Sequence, residues 1–74
     1  MTYELWEAES GNIIAGFTTK PDALALVREQ IDAAGSDSVA TWFLGCEDDE
    51  GESTMIAKGA QLAELARRTP SAAS

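Results

Sequence analysis

The sequence predicts an α+β domain with a four-stranded, largely antiparallel sheet, two helices on one face and the order ββαββα. Two observations carry this prediction. Short segments rich in β-branched and aromatic residues are separated by glycine-containing turns, and two other segments repeat apolar residues at helical spacing. The 74 residues are 45% hydrophobic and 24% charged, which is typical of one small folded domain. We assign residues 1–69 to this domain and expect 70–74 to be a flexible C-terminal tail.

The first hairpin is predicted from two apolar segments on either side of a turn. Residues 2–8 alternate loosely and contain three large apolar or aromatic side chains, which favours a strand. Ser10-Gly11-Asn12 is a typical turn sequence, and residues 13–18 form the second predicted strand. Gly16 indicates a bulge or a packing gap in that strand.

The first helix has both a start signal and a stop signal. Thr19 can cap the helix, Pro21 suits its first turn, and Asp22 completes a pair similar to a capping box. The helix is predicted to run to about Ala34, and Gly35 to end it. One face is predicted to be apolar; it holds Leu24, Val27, Ile31 and Ala34.

The second half repeats the layout of hairpin followed by helix. Residues 38–46 are predicted to be the longest strand, and their apolar character on both faces indicates a central strand or one that a partner covers. An acidic turn, 47–52, leads to a fourth strand over 53–57. The second helix is expected to begin at residue 58 or 59, to continue through 68 and to stop at Pro70.

The composition argues against an enzyme and against a bound cofactor. The chain has no histidine, so the commonest general base and metal ligand is missing. Its single cysteine, Cys46, cannot form an internal disulfide, and the carboxylates that follow it disfavour a thiolate. The acidic turn contains half of a calcium-loop pattern, but the position six residues after Gly51 is Ala57 instead of glutamate. We therefore expect no catalytic residue, no metal and no cofactor.

The charge balance restricts the partners. Thirteen acidic and five basic residues give a net charge of −8, which disfavours direct binding to nucleic acid or to anionic membranes. The N-terminal segment lacks the basic start and apolar run of a signal peptide, so a cytoplasmic location is expected. The acidity indicates either solubility alone or attraction to a partner with a basic surface.

Four short segments resemble a group of small uncharacterised bacterial proteins of similar length and element order. They are Tyr3-Glu4-Leu5-Trp6, Ser10-Gly11-Asn12, Ala23-Leu24-Ala25 and Ile56-Ala57-Lys58-Gly59. This resemblance implies a fold and no activity. The Thr19–Leu24 segment after a hairpin also resembles HicB-type antitoxins, although a third strand before the helix and a basic DNA-binding tail are both missing.

These observations lead to two hypotheses about function. The first is a non-enzymatic protein-interaction module that self-associates, since a chain this short has a thin core and no disulfide or metal to support it. Its interaction residues are predicted to be Trp6, Trp42, Phe43 and Leu44. The alternative is an antitoxin-like or nucleic-acid-mimicking regulator that binds a basic protein.

Overall fold

A computed structural model describes residues 1–68 and confirms the predicted order ββαββα. The predicted tail and the stop at Pro70 lie outside the described residues. A short 3₁₀ helix is added between the first helix and the third strand. The elements are β1 (Thr2–Glu7), β2 (Asn12–Phe17), α1 (Lys20–Ala34), the 3₁₀ helix (Ser36–Val39), β3 (Trp42–Glu47), β4 (Ser53–Lys58) and α2 (Gly59–Arg68).

The four strands form one antiparallel sheet in the order β2-β1-β3-β4, as the sequence predicts. Both helices pack against each other and against the same sheet face. Leu5 and Leu44 lie directly opposite each other at the centre of the sheet, and both are fully buried. The core thus lies in one layer between sheet and helices, and the other sheet face is left open. Among the described residues, no helix is long and apolar enough to cross a membrane.

Helix α1 begins as predicted. Thr19 is the N-cap, and its hydroxyl accepts a hydrogen bond from the Asp22 N–H at 3.3 Å. The N–H of Gly35 donates to the carbonyl of Ile31 and ends the helix. Ala34 is exposed, so the buried face ends before the helix does.

The strand predicted over 38–46 is shorter than expected. Strand β3 begins only at Trp42, because the preceding residues wind into the 3₁₀ helix. The Ser38 hydroxyl donates to the carbonyl of Gly35 at 2.6 Å and closes this turn. Val39 is fully buried there. Its apolar side chain attaches the connection between α1 and β3 to the core. A β-branched residue can have this role or lie in a strand, and composition alone does not distinguish the two.

Each edge strand contains a bulge opposite a core leucine. Ile14 is the extra residue of β2 opposite Leu5, and Ile56 is the extra residue of β4 opposite Leu44. Both isoleucines pack against the core. Of the two alternatives predicted for Gly16, the bulge is therefore wrong, because the extra residue of β2 lies two positions earlier. Because the two bulges occupy corresponding places in the two hairpins, the halves of the sheet have an approximate two-fold relation.

Candidate interaction surface on the open sheet face

Trp6 and Phe43 form a stacked pair on the face of the sheet that the helices leave uncovered. Side chains alternate along a strand, so the burial of Leu5 and Leu44 under the helices turns their neighbours to the opposite face. Trp6 lies directly opposite Phe43 in the register of β1 and β3. The two ring centroids are 6.3 Å apart and the ring planes are inclined by 7°. This separation is within the range of favourable aromatic pairs, so each ring holds the other in place.

Two exposed aliphatic side chains extend the pair to the edges of the sheet. Ile13 lies opposite Trp6 on β2 and is 50% exposed, and Met55 on β4 is 55% exposed. Met55 lies opposite Gly45. Gly45 is two residues after Phe43 on the same face of β3 and has no side chain, so the backbone there is uncovered. We call Trp6, Phe43, Ile13 and Met55 the apolar strip. Sequence reasoning missed the two aliphatic members, because the bulges interrupt the alternation that would assign them to this face.

Charged side chains border the apolar strip. By the same alternation, Glu4 and Glu47 lie on the open face, one on each central strand. Lys58 lies opposite Phe43 on β4 and is the basic residue of this face. The border therefore carries two carboxylates and one ammonium within residues 1–68.

The acidic turn between β3 and β4 lies beyond one end of the strip. Asp48 organises it, since one carboxylate oxygen, Oδ1, accepts the N–H groups of Glu50 and Glu52, each at 2.9 Å. Asp49 is almost fully exposed and forms an ion pair with the N-terminal ammonium at 3.3 Å. The turn thus presents carboxylates to solvent.

The turn between β1 and β2 lies at the other end and is organised by Glu7. Its carboxylate accepts the N–H of Ser10 at 2.7 Å and the N–H of Glu9 at 3.2 Å. A hydrogen bond from the Thr41 side chain, followed by those from Ser10, lowers the pKa of Glu7 from its ordinary 4.5 to about 2. Glu7 is therefore a permanently charged acceptor at neutral pH.

Two of the four predicted interaction residues are not on the open face. Leu44 is fully buried in the core beneath the helices. Trp42 shares its side of β3 and packs against the core, partly exposed beside a surface depression of about 380 Å³ that Ala40, Gly59 and other residues line. The prediction is therefore wrong for Leu44 as a contact residue, and Trp42 lies on the opposite side of the sheet from Trp6 and Phe43. A strand that is apolar on both sides must divide its residues between core and open face.

The groups that sequence reasoning examined for chemistry are dispersed. Cys46 is a partly exposed thiol on β3, between Tyr3 and Thr54 on the neighbouring strands. Throughout residues 1–68, no three His, Cys, Asp or Glu side chains are grouped so that they could hold a metal ion. In a depression of about 280 Å³ between β4 and α2, Glu64 pairs with Arg68 at 2.6 Å.

Fold and site together define a two-layer α+β protein with an open aromatic sheet face. No protein-family model matches this chain, and no curated protein or solved structure is significantly similar to it. The resemblance to small bacterial proteins accordingly stays a prediction.

Proposed function

We propose that this protein is a non-enzymatic interaction module whose open sheet face binds a protein partner. The observation that carries the proposal is the stacked Trp6–Phe43 pair on a face that neither helix covers. Aromatic side chains bury a large area on binding with little loss of conformational entropy, and they dominate binding energy at the centre of interfaces. Because the two rings are already stacked in the free protein, they lose little conformational entropy when a partner binds.

Charge complementarity specifies the kind of partner. The apolar strip is bordered by Glu4 and Glu47, and acidic turns lie at both ends of the face. The chain as a whole has a charge of −8. A partner with an apolar centre and a basic rim would bury the strip, pair with these carboxylates and approach by electrostatic attraction.

The non-enzymatic part of the proposal has its own support. Glu7, with a pKa of about 2, is too weak a base for proton abstraction at neutral pH and has no proton to donate. Glu64 forms an ion pair with Arg68, and both side chains are largely exposed at the surface, so no enclosed cleft surrounds this carboxylate. With no histidine in the sequence, neither carboxylate has the usual catalytic companion.

In-cell photo-cross-linking tests the proposal. A photoreactive benzoylphenylalanine replaces Phe43, and the same group replaces Tyr3 on the helix-covered side as a matched control. The Phe43 position should capture a discrete protein that the Tyr3 position does not. The purified partner should then bind the Trp6→Ala, Phe43→Ala double variant at least ~30-fold more weakly, which is the effect of losing a single hot-spot aromatic residue worth ~2 kcal/mol. Equal capture at both positions, or unchanged affinity of the double variant, would contradict the proposal.

The nucleic-acid-mimicking alternative makes a different prediction from the same complex. A mimic uses its carboxylates, so its binding would weaken steeply with salt and would be indifferent to the aromatic pair. Binding through the open face should instead lose most of its affinity when Trp6 and Phe43 are removed, at any salt concentration. Measuring the affinity of the wild type and of the Trp6→Ala, Phe43→Ala double variant for the partner at low and high salt therefore separates the two hypotheses.

A further inference from the structure

The free edge of β2 carries no charged side chain on its own strand, although the protein as a whole is acidic. Strands β2 and β4 are the two edges of the sheet, and each has one side without a strand beside it. Such an edge presents unpaired N–H and C=O groups, and natural proteins usually protect it with charged residues or proline. The sequence of β2, Asn12–Phe17, contains neither, and its protection is limited to the bulge at Ile14.

The hydrogen-bonding pattern shows which backbone groups of β2 face outward. The N–H of Ala8 donates to the carbonyl of Thr41 at 2.7 Å, next to the β1–β3 pairing. Bonding direction alternates along a strand, so Glu4, an even number of residues away, also bonds toward β3. Its neighbour across β1–β2 is Gly16. The N–H and C=O of Gly16 therefore point away from β1, toward the free edge.

The opposite edge has the same backbone geometry and a different charge. Gly45 lies opposite Glu4 on one side and opposite Met55 on the other, so the backbone groups of Met55 also point outward. However, β4 ends at Lys58 and follows the acidic turn. A charged residue protects an exposed edge from pairing, so Lys58 makes β4 the less suitable edge, whereas β2 has no charged residue on its own strand.

Apolar side chains flank the free edge of β2. On α1, Arg28 reaches the carbonyl of Arg67 in α2 at 3.5 Å, which defines the flank that faces the other helix. Leu26 is two positions earlier, about 160° away around the helix, and so lies on the flank toward β2. Leu26 and Phe17 both pack against the core while keeping part of their surface exposed. Ile13 is half exposed on the other side of the same strand.

We infer that the protein forms a homodimer by antiparallel pairing of β2 with β2 of a second copy. The two-fold axis is normal to the sheet, so the same residues pair in both directions and the two sheets join into one of eight strands. This symmetry places both open faces on the same side. The inference deepens the proposed function, because one continuous surface then carries two apolar strips. Dimerisation would also add buried surface to a domain that is too small to form a large core of its own.

Proline substitutions at matched edge positions test the pairing. Gly16→Pro removes an outward N–H without breaking a bond to β1, and a Cβ built there meets no atom within 4 Å. Met55→Pro makes the same change on β4 and also alters the open face. Sedimentation equilibrium should show that the wild type is a dimer and that Met55→Pro leaves the dimer unchanged. Gly16→Pro should weaken self-association at least ~10-fold, because the two-fold symmetry means that one substitution removes an intermolecular hydrogen bond from each copy. Thermal melting of both variants verifies that they fold.

Amide hydrogen exchange on the wild-type protein tests the same interface without a substitution. Raising the protein concentration should slow exchange at Gly16, whose N–H becomes bonded to the second copy, and leave Met55 unchanged. Raising salt from about 0.05 M to about 0.5 M should strengthen the dimer, because two chains of like charge then repel each other less.

Each other outcome overturns the inference. A monomer at every concentration excludes self-association, and loss of the dimer only with Met55→Pro assigns it to β4. Dissociation by Trp6→Ala or by both prolines assigns it to the open face. The proposed function fails separately: a Trp6→Ala, Phe43→Ala variant that stays dimeric and keeps its partner refutes the open-face proposal and leaves the β2 pairing intact.

Discussion

Two carboxylate side chains, Glu7 and Asp48, stabilise the turns of the two hairpins. Glu7 and Asp48 each direct carboxylate oxygens at backbone N–H groups of the following turn. Asp48 belongs to a run that, as a sequence, invites a metal-binding interpretation. In the structure its carboxylate accepts the N–H groups of Glu50 and Glu52 and so fixes the β3–β4 turn. These hydrogen bonds hold the two turns that lie at opposite ends of the open face in a defined conformation.

At the residue scale, Glu7→Gln should lower stability at neutral pH. The amide keeps a weaker acceptor and loses the charge that strengthens the bonds from Thr41, Ser10 and Glu9. Because the pKa of Glu7 is about 2 in the folded chain and near 4.5 otherwise, its contribution is complete above pH 4.5 and is lost as the pH falls toward 2. The free-energy difference between wild type and variant should shrink across that range.

Urea unfolding at a series of pH values measures this effect. Glu9→Gln is the matched control, since Glu9 contributes its backbone N–H to the same turn. Its difference from wild type should be small and nearly flat with pH. A Glu7→Gln difference that does not change between pH 7 and pH 2 would refute the assigned role.

At the scale of elements, the junction between β4 and α2 depends on one glycine. Gly59 begins α2 with φ of 54°, and a Cβ added there would lie 3.1 Å from the carbonyl oxygen of Ala40. The chain turns from strand to helix with no loop residue between them. A side chain at this position would both strain the backbone and push against the residues that precede β3.

Gly59→Ala should therefore destabilise the protein by ~1–3 kcal/mol, the cost of a non-glycine residue in a left-handed conformation. Gly16→Ala is the control, because a Cβ at Gly16 has no neighbouring atom within 4 Å and its φ is not positive. Denaturant unfolding should place the control within about 0.5 kcal/mol of wild type. A Gly59→Ala variant as stable as the control would show that the junction tolerates a side chain.

The whole molecule is a two-layer structure whose core depends on a few leucines. Leu5, Leu44 and Leu62 are the largest fully buried side chains, and within residues 1–68 no polar or charged residue is buried. For 74 residues, a free energy of unfolding of about 4–11 kcal/mol is expected. Each of these leucines thus contributes a large share of the stability.

At this scale, Leu44→Ala should cost ~2–5 kcal/mol, because it opens a cavity where sheet and helices meet. Met55→Ala, on the open face, should cost less than about 1 kcal/mol, since Met55 is 55% exposed. Urea unfolding of the two variants measures the contrast. Similar losses would mean that the open face is as tightly packed as the core, and would remove the basis for an uncovered binding surface.

Residues that are close together in the chain specify the local elements and their order. Thr19 and Gly35 define the ends of α1 through capping and chain reversal, which depend on neighbours in the chain. The two hairpins follow from apolar segments around turn residues. The absence of histidine restricts the chemistry of the chain before any folding is considered.

The pairing of strands distant in the chain specifies which side chains lie on the open face. Trp42 and Phe43 are adjacent in a strand that is apolar on both sides, and composition cannot assign one to the core and the other to the surface. Register with β1 does so, because Leu5 and Leu44 meet beneath the helices and thereby turn Trp6 and Phe43 outward together. At the bulges, Ile14 and Ile56 pack against the core, and Ile13 and Met55 lie on the open face. Contacts between residues distant in sequence make these choices, and so no local pattern encodes them.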